Sequence, residues 1–272
     1  MIRRDLPDGT SLLIPQEHHA DVSAQFAAHW GNDDFARPNP YESVVFATIY
    51  HDSGHREIEA GVPVDVELGR LYGMRDMPAA FKREDANQAN VRWITGQDPY
   101  AALLAAMHRT GLRKKRYNTV SSAERDYASG GPGEAPLGMD AAFEDLDEGL
   151  REHLSRLDAP ARDSLWFNYR LLQVYDLLSL YVCCDGYKDG ALRSSALSGV
   201  PVDYDSSDET AMRIEPTGPD SLRIDPYPFA AAPLTISVAA RRMEPVTATS
   251  EDAVRGAYYR APRELLSWRL ET

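Results

Sequence analysis

The chain is poor in cysteine, in positive charge and in long apolar runs. Its two cysteines, Cys183 and Cys184, are adjacent. Vicinal cysteines rarely pair, because disulfide geometry strains the backbone between them. They read as reduced, buried small hydrophobes, and they lack the spacing of a zinc finger. Lys and Arg number 29 against 42 Asp and Glu, a formal charge of −13. Such a surface repels phosphate backbones and disfavours nonspecific nucleic-acid binding. No run approaches the length of a membrane span. Met1-Ile2-Arg3-Arg4-Asp5-Leu6-Pro7 lacks the apolar core of a secretory signal. A phosphate-cradling glycine loop and a nucleophile elbow are also missing. The expectation is a cytoplasmic protein with a small-molecule substrate, and with neither nucleic acid nor membrane as partner.

What is present suggests one large domain over 1–272, helical at its core from about 15 to 184. Asp8-Gly9 between Ile2-Arg3-Arg4 and Ser11-Leu12-Leu13-Ile14 predicts a hairpin. A helix follows from Pro15 to about Trp30. On it His19 shares the apolar face of Val22, Phe26 and Trp30, while His18 is rotated toward the polar side. A second helix covers about Tyr41 to His51. The glycine- and proline-punctuated stretch from Arg56 to about Asp85 reads as irregular, the kind of segment that forms lids or pocket walls. Further helices are expected over 81–95, 99–109 with Gly111 as cap, 139–157, and 160–182. Residues 118–140 read as a flexible loop, and 185–209 as another loop. Strands are expected at 221–225, 234–240 and 265–270, with a short serine-capped helix at 250–255 ending at Gly256. With the N-terminal hairpin these strands would make a small antiparallel β-sheet, a β appendage from 1–14 and about 220–272. The fold class expected is mainly α. Trp166, Phe167, Tyr169 and Tyr175 have three uses open to them: the core, a pocket wall, or the contact of a homodimer.

The chemistry gathers around Tyr50-His51-Asp52-Ser53-Gly54-His55. An adjacent His-Asp pair closes the apolar run Val44 to Tyr50. A neutral imidazole nitrogen and a hard carboxylate oxygen suit zinc, iron or manganese. His55 lies one turn beyond His51 if the helix continues past Gly54. Three further candidates sit on apolar helices: His19, His108 and Asp176. Each has an ordinary explanation. A lone inward histidine is more often a satisfied core residue, and His108 at a helix end is favoured by the helix dipole. Asp176 tells the most. A carboxylate inside Leu171, Leu172, Val174, Leu177 and Leu178 is costly unless paired or metal-bound. The ordinary partner for it would be an arginine such as Arg170. The joint pattern of His, His-Asp, His and Asp on separate apolar helices favours a shared cation.

The order His19, His51-Asp52, Asp176 resembles the ligand set of the HD-domain superfamily of metal-dependent phosphohydrolases. The surrounding words Gln16 to Ala20, Tyr50 to His55 and Leu172 to Leu180 look like an uncharacterised bacterial branch of HD-like proteins. The resemblance implies an HD-like helical bundle and a divalent metal (Fe, Mn, Zn, Co or Ni, as one or two ions) held by His19, His51, Asp52 and Asp176. His108 would be a further ligand or an acid-base group. In catalysis Asp52 would orient the nucleophile, and His108 or His55 would protonate the leaving group. The basic run Arg113-Lys114-Lys115-Arg116 would be available to a phosphate, or would simply be a solvated helix end. The function expected is hydrolysis of a small phosphate ester or nucleotide. The alternatives are an HD-like non-haem di-iron oxygenase and a noncatalytic ligand sensor.

Overall fold

The computed structural model describes residues 1–81, 84–115, 117–123, 137–205, 207–247 and 250–272. Its helices are α1 Gln16–His29, α2 Tyr41–Tyr50, α3 His55–Ala60, α4 Glu84–Thr95, α5 Pro99–Lys114, α6 Met139–Ala142, α7 Glu148–Ser155, α8 Ala159–Leu180 and α9 Glu251–Arg260. Its strands are β1 Ile2–Asp5, β2 Ser11–Ile14, β3 Val64–Asp65, β4 Arg70–Leu71, β5 Val120–Ser121, β6 Tyr187–Lys188, β7 Ala191–Leu192, β8 Ser195–Pro201, β9 Glu209–Gly218, β10 Ser221–Asp225, β11 Leu234–Met243 and β12 Arg263–Glu271. Helix accounts for 43% and strand for 24% of the structure.

The expected mainly α fold with a small sheet is therefore wrong. Eight strands form one curled, half-barrel sheet in the order β1-β2-β11-β12-β10-β9-β8-β5. Its pairs are antiparallel except β10 with β12. Strand β8 lies where a loop was expected, and β9 in the stretch after it for which no element was expected. In β9 Met212 and Ile214 are buried between exposed Ala211, Arg213 and Glu215, the alternation of a half-solvated strand. In β8 that alternation is broken by a bulge between Leu197 and Val200. Gly199 takes φ +71° there, and its α-carbon approaches Asn118 too closely for a side chain.

Two of the helices that carry the site, α1 and α8, pack against this sheet. Along α1, the Gln25 side chain pairs with Ser237 of β11 as a strand would, donating to its carbonyl and accepting from its N–H, both at 2.9 Å. His18, expected in solvent, is half-buried on the same strand, with Nδ1 3.0 Å from Ala239 O. Helix α8 starts at Asp158, whose carboxylate caps Ala161 N, with Pro160 in the first turn. From Leu165 to Leu180 every residue of α8 is buried, as in a helix surrounded on all sides.

Other boundaries also move. Helix α5 runs through Gly111 and ends at Lys115, which adopts φ +51°. Gly111 is needed for another reason: a β-carbon there would lie 2.4 Å from Tyr169 Oη. Helix α9 continues past Gly256 to Arg260. The expected helix over 139–157 is two short ones, α6 and α7, and the stretch 56–85 holds α3, β3 and β4. Of the expected loop at 118–140, residues 124–136 lie outside the described residues, while β5 and the start of α6 flank them.

Candidate metal centre

Five side chains from four segments meet in the interior. His19 comes from α1, His51 and Asp52 from the end of α2, His108 from α5 and Asp176 from α8. Four of them are almost fully buried, and Asp52 is 9% exposed. His19 Nε2 is 3.1 Å from Asp176 Oδ1 and 3.4 Å from Asp52 Oδ2. His51 Nε2 is 3.6 Å from Asp176 Oδ1 and 3.7 Å from Asp52 Oδ2. Ligand atoms about 2.1 Å from a shared cation stand about 3.0 Å apart in an octahedron and about 3.4 Å apart in a tetrahedron. The observed spacings fall close to those edges. The other carboxylate oxygen of Asp52 looks elsewhere: Oδ1 is 3.8 Å from His108 Nε2 and 4.0 Å from His55 Nε2. His55 opens α3, and about a third of its side chain (32%) is exposed, so the cluster reaches solvent on that side.

The remaining ring nitrogens are anchored, and proton counting fixes their tautomers. His51 Nδ1 is 2.7 Å from Thr48 O, a carbonyl left over at the end of α2, so it must donate. His19 Nδ1 meets Ser179 Oγ at 2.5 Å, and that hydroxyl gives its own proton to Asp176 O at 2.7 Å. His19 Nδ1 therefore donates as well. His108 Nδ1 lies 2.8 Å from Tyr117 Oη, whose proton goes to Asp176 Oδ2 at 3.0 Å. By the same logic His108 Nδ1 carries a hydrogen. With its hydrogen bond made at Nδ1, each ring turns Nε2 toward the two carboxylates; in the metal-free protein His19 Nε2 carries a proton to them, the proton that a bound cation would displace. Among the described residues, His51 Nε2 and His108 Nε2 are buried without a hydrogen-bond partner. Such outer anchoring of the far ring nitrogen is characteristic of metal-ligating histidine.

The electrostatics call for positive charge at this point. Burial opposes a charged His19, yet the hydrogen bonds and charges of Asp176 and Asp52 outweigh it and raise its pKa to about 9. Burial alone would push Asp176 up, but the hydrogen bond from His19 and the nearby His51 and His108 imidazoles hold it below the usual carboxylate range. Asp52 behaves likewise, held down chiefly by His51. The arginine that would explain Asp176 differently is engaged elsewhere. Arg170 bonds to Glu209 and to Gly199 O at 3.0 Å.

Other candidates are not part of this arrangement. Arg113 pairs with Asp145 and Lys114 with Glu144, so neither is turned to the histidines; Arg116 lies outside the described residues. Sequence reasoning missed Tyr117, Ser179, Ser23 and Thr48. Ser179 was open to discovery, being three residues from Asp176 on one helix face. Tyr117 follows α5 in irregular chain, where no periodicity points inward.

Fold and site together define a mixed α/β protein with a buried His/Asp centre suited to a divalent cation. The family follows from comparison. The chain belongs to the family described as "Protein of unknown function (DUF3891)", whose model matches residues 1–245. No curated protein and no solved structure matches it. The resemblance to the HD-domain superfamily does not stand. The matching family is a different one, and an eight-stranded curled sheet does not fit a helical HD domain. Among the described residues no helix is long and apolar enough to cross a membrane.

Proposed function

We propose that this chain is a metal-dependent hydrolase of a small substrate, with phosphate esters and nucleotides the class to test first. One observation carries the reading. The Nε2 atoms of three imidazoles and the carboxylates of two aspartates converge in a buried space, where among the described residues His51 Nε2 and His108 Nε2 have no hydrogen-bond partner. A mixed nitrogen and oxygen donor set without thiolate suits Fe, Mn, Zn, Co or Ni. The cysteines are no rivals, since burial raises both thiol pKa values, that of Cys183 to about 12.

His19, His51, Asp52 Oδ2 and Asp176 Oδ1 would hold the ion. Bound there, a divalent cation supplies Lewis acidity and lowers the pKa of a water. The chain's own groups do the rest. Asp52 Oδ1, turned away from that position, would accept a hydrogen bond from the attacking water and orient it. His55, at the solvent side, is placed to protonate a leaving group. Tyr117 and Ser179 hold His108 and His19 in the required tautomer.

A second reading has its own observation. The two oxygens of Asp52 face different sets of nitrogens, so Asp52 Oδ1, His55 and His108 could hold a second ion beside the first. That arrangement would suit a non-haem di-iron oxygenase. Elemental analysis of gently purified protein, followed by turnover of a phosphate-ester panel, separates the two. One ion per chain with hydrolysis supports the first reading. Two irons with an oxygen-sensitive optical band support the second. Protein that binds no divalent metal overturns both.

A further inference from the structure

A cleft of about 460 Å³ lies where α8 gives way to the π-helical turn Tyr181–Asp185. Arg3, Arg4, Met74, Arg75, Asp185 and Tyr187 are among the residues lining it, and none of the metal-facing side chains does so. Single π-helical turns interrupting or ending α-helices gather at functional sites. This one also redirects the chain so that Tyr187 lies under Arg4.

The charges in the cleft nearly cancel. Arg3 bonds to Asp5, Asp76 and Leu71 O. Arg75 pairs with Asp185, and Asp189 with Arg193 at 3.9 Å. Arg4 differs. Its guanidinium carbon sits 3.8 Å from the centre of the Tyr187 ring, which is itself fixed by a 2.9 Å hydrogen bond from Trp268 Nε1 to Tyr187 Oη. Its Nη1 reaches only Val182 O, at 3.5 Å, and its buried Nε has no partner. No carboxylate among the described residues pairs with it. A second buried atom without a partner, Asp185 Oδ2, belongs to the same lining. Unmet donors and acceptors around one concave space mark a site for a polar ligand.

We propose that this cleft binds the carboxylate of a small organic acid on Arg4. A guanidinium stacked face-on to an aromatic ring keeps its edge for a planar, two-oxygen acceptor. Arg4 has no carboxylate partner among the described residues, while the lining as a whole holds three arginines and four aspartates, so a singly charged carboxylate is favoured over the more strongly repelled phosphate dianion. The proposal does not depend on the hydrolase reading, because the cleft is separate from the histidine cluster.

The test uses the full chain stripped of metal by a chelator, so that no bound ion competes for the anion. Sodium acetate is titrated while NMR follows the Arg4 Nε–Hε signal and the backbone amides of 185–189. A saturable shift at those signals is expected, with inorganic phosphate binding more weakly than acetate. Arg4→Gln should weaken acetate binding about ten- to a hundredfold, the worth of a charge-assisted hydrogen bond. Arg4→Lys, which keeps the charge but loses the fork, should fall between, and it decides the matter if the glutamine variant does not fold. The proposal is overturned if the wild-type chain shows no saturable shift, if phosphate binds more tightly than acetate, or if the variants bind as well as wild type.

Discussion

Tyr117→Phe gives the sharpest test of the metal centre. The change removes one oxygen and leaves the packed ring, so it opens almost no cavity. What it deletes is the link from His108 Nδ1 to Asp176 Oδ2, through contacts of 2.8 and 3.0 Å. With phenylalanine in place nothing favours the Nδ1–H tautomer of His108, and its Nε2 lone pair is no longer guaranteed. Removing an outer-shell partner of a metal ligand typically weakens the metal about ten- to a hundredfold, or about 1.4–2.8 kcal/mol. The metal-free protein is destabilised as well. A buried carboxylate oxygen loses its donor and an imidazole loses its acceptor, at about 1–3 kcal/mol for each group left unsatisfied.

The matched control is Tyr175→Phe. Tyr175 is fully buried next to Asp176 on α8, packs against Trp30, and has a hydroxyl with no partner among the described residues. Deleting an unsatisfied hydroxyl should leave stability unchanged or raise it by about 1 kcal/mol, and should not touch the metal. The assay is a competition titration of Zn²⁺ or Co²⁺ against a chromogenic chelator, with Tm measured with and without metal. Equal metal affinities in the two variants would refute the tautomer reasoning.

Three other outcomes are expected. Asp176→Asn removes a charge shared by His19 and His51 and should abolish metal loading, whereas His18→Ala loses only the contact to Ala239 O and should leave loading nearly intact; metal content per chain decides between them. Chelation of the loaded protein should lower Tm in a manner that depends on free metal concentration, as mass action requires. Gly111→Ala should destabilise by about 1–3 kcal/mol despite alanine's higher helix propensity, because its β-carbon would meet Tyr169 Oη at 2.4 Å. Denaturant unfolding checks this last case, and a stability equal to or above wild type would contradict the packing argument.

The helices could be read from the sequence because their signals are local. Val22, Phe26 and Trp30 set the phase that turned His19 inward, and Asp158 with Pro160 announced α8. The sheet was harder for a physical reason. Met212 and Ile214 are only two buried positions in a ten-residue strand, β9, and its partner β8 carries Gly199 at a bulge, so neither reads as a clean alternation. Strands β10 and β12 pair in parallel across some forty residues of intervening chain, a contact that no local pattern encodes. The histidines and aspartates of the cluster stood out for the opposite reason. A histidine or aspartate on an apolar face is conspicuous wherever its partners come from. Tyr117 was not, because its role depends on where a loop happens to pass.

The unexpected size of the sheet bears on the chemistry. Helix α8 is wrapped on all sides from Leu165 to Leu180, yet it carries Asn168, Arg170, Gln173, Asp176 and Ser179 inside that wrapping. Each is committed to a segment outside α8. Asn168 donates to Asn39 O, Arg170 to Gly199 O, and Gln173 accepts from the N–H groups of Asn118 and Thr119. Gln173 thus pins the chain just after Tyr117, and so sets the phenol that bridges His108 and Asp176. Arg170 ties the same helix to the β8 bulge. Desolvation of the His/Asp cluster therefore depends on strands far from it in sequence. A buried centre of this kind gains strength for every electrostatic contact within it, and it tolerates an unpaired carboxylate least. On this argument Gln173→Leu, which touches no ligand, should loosen Tyr117 and weaken metal binding in the same direction as Tyr117→Phe. Combining the two should cost less than the sum of the single losses, because both act through one bridge. Fully additive losses in the chelator titration would place Gln173 outside the support of the centre.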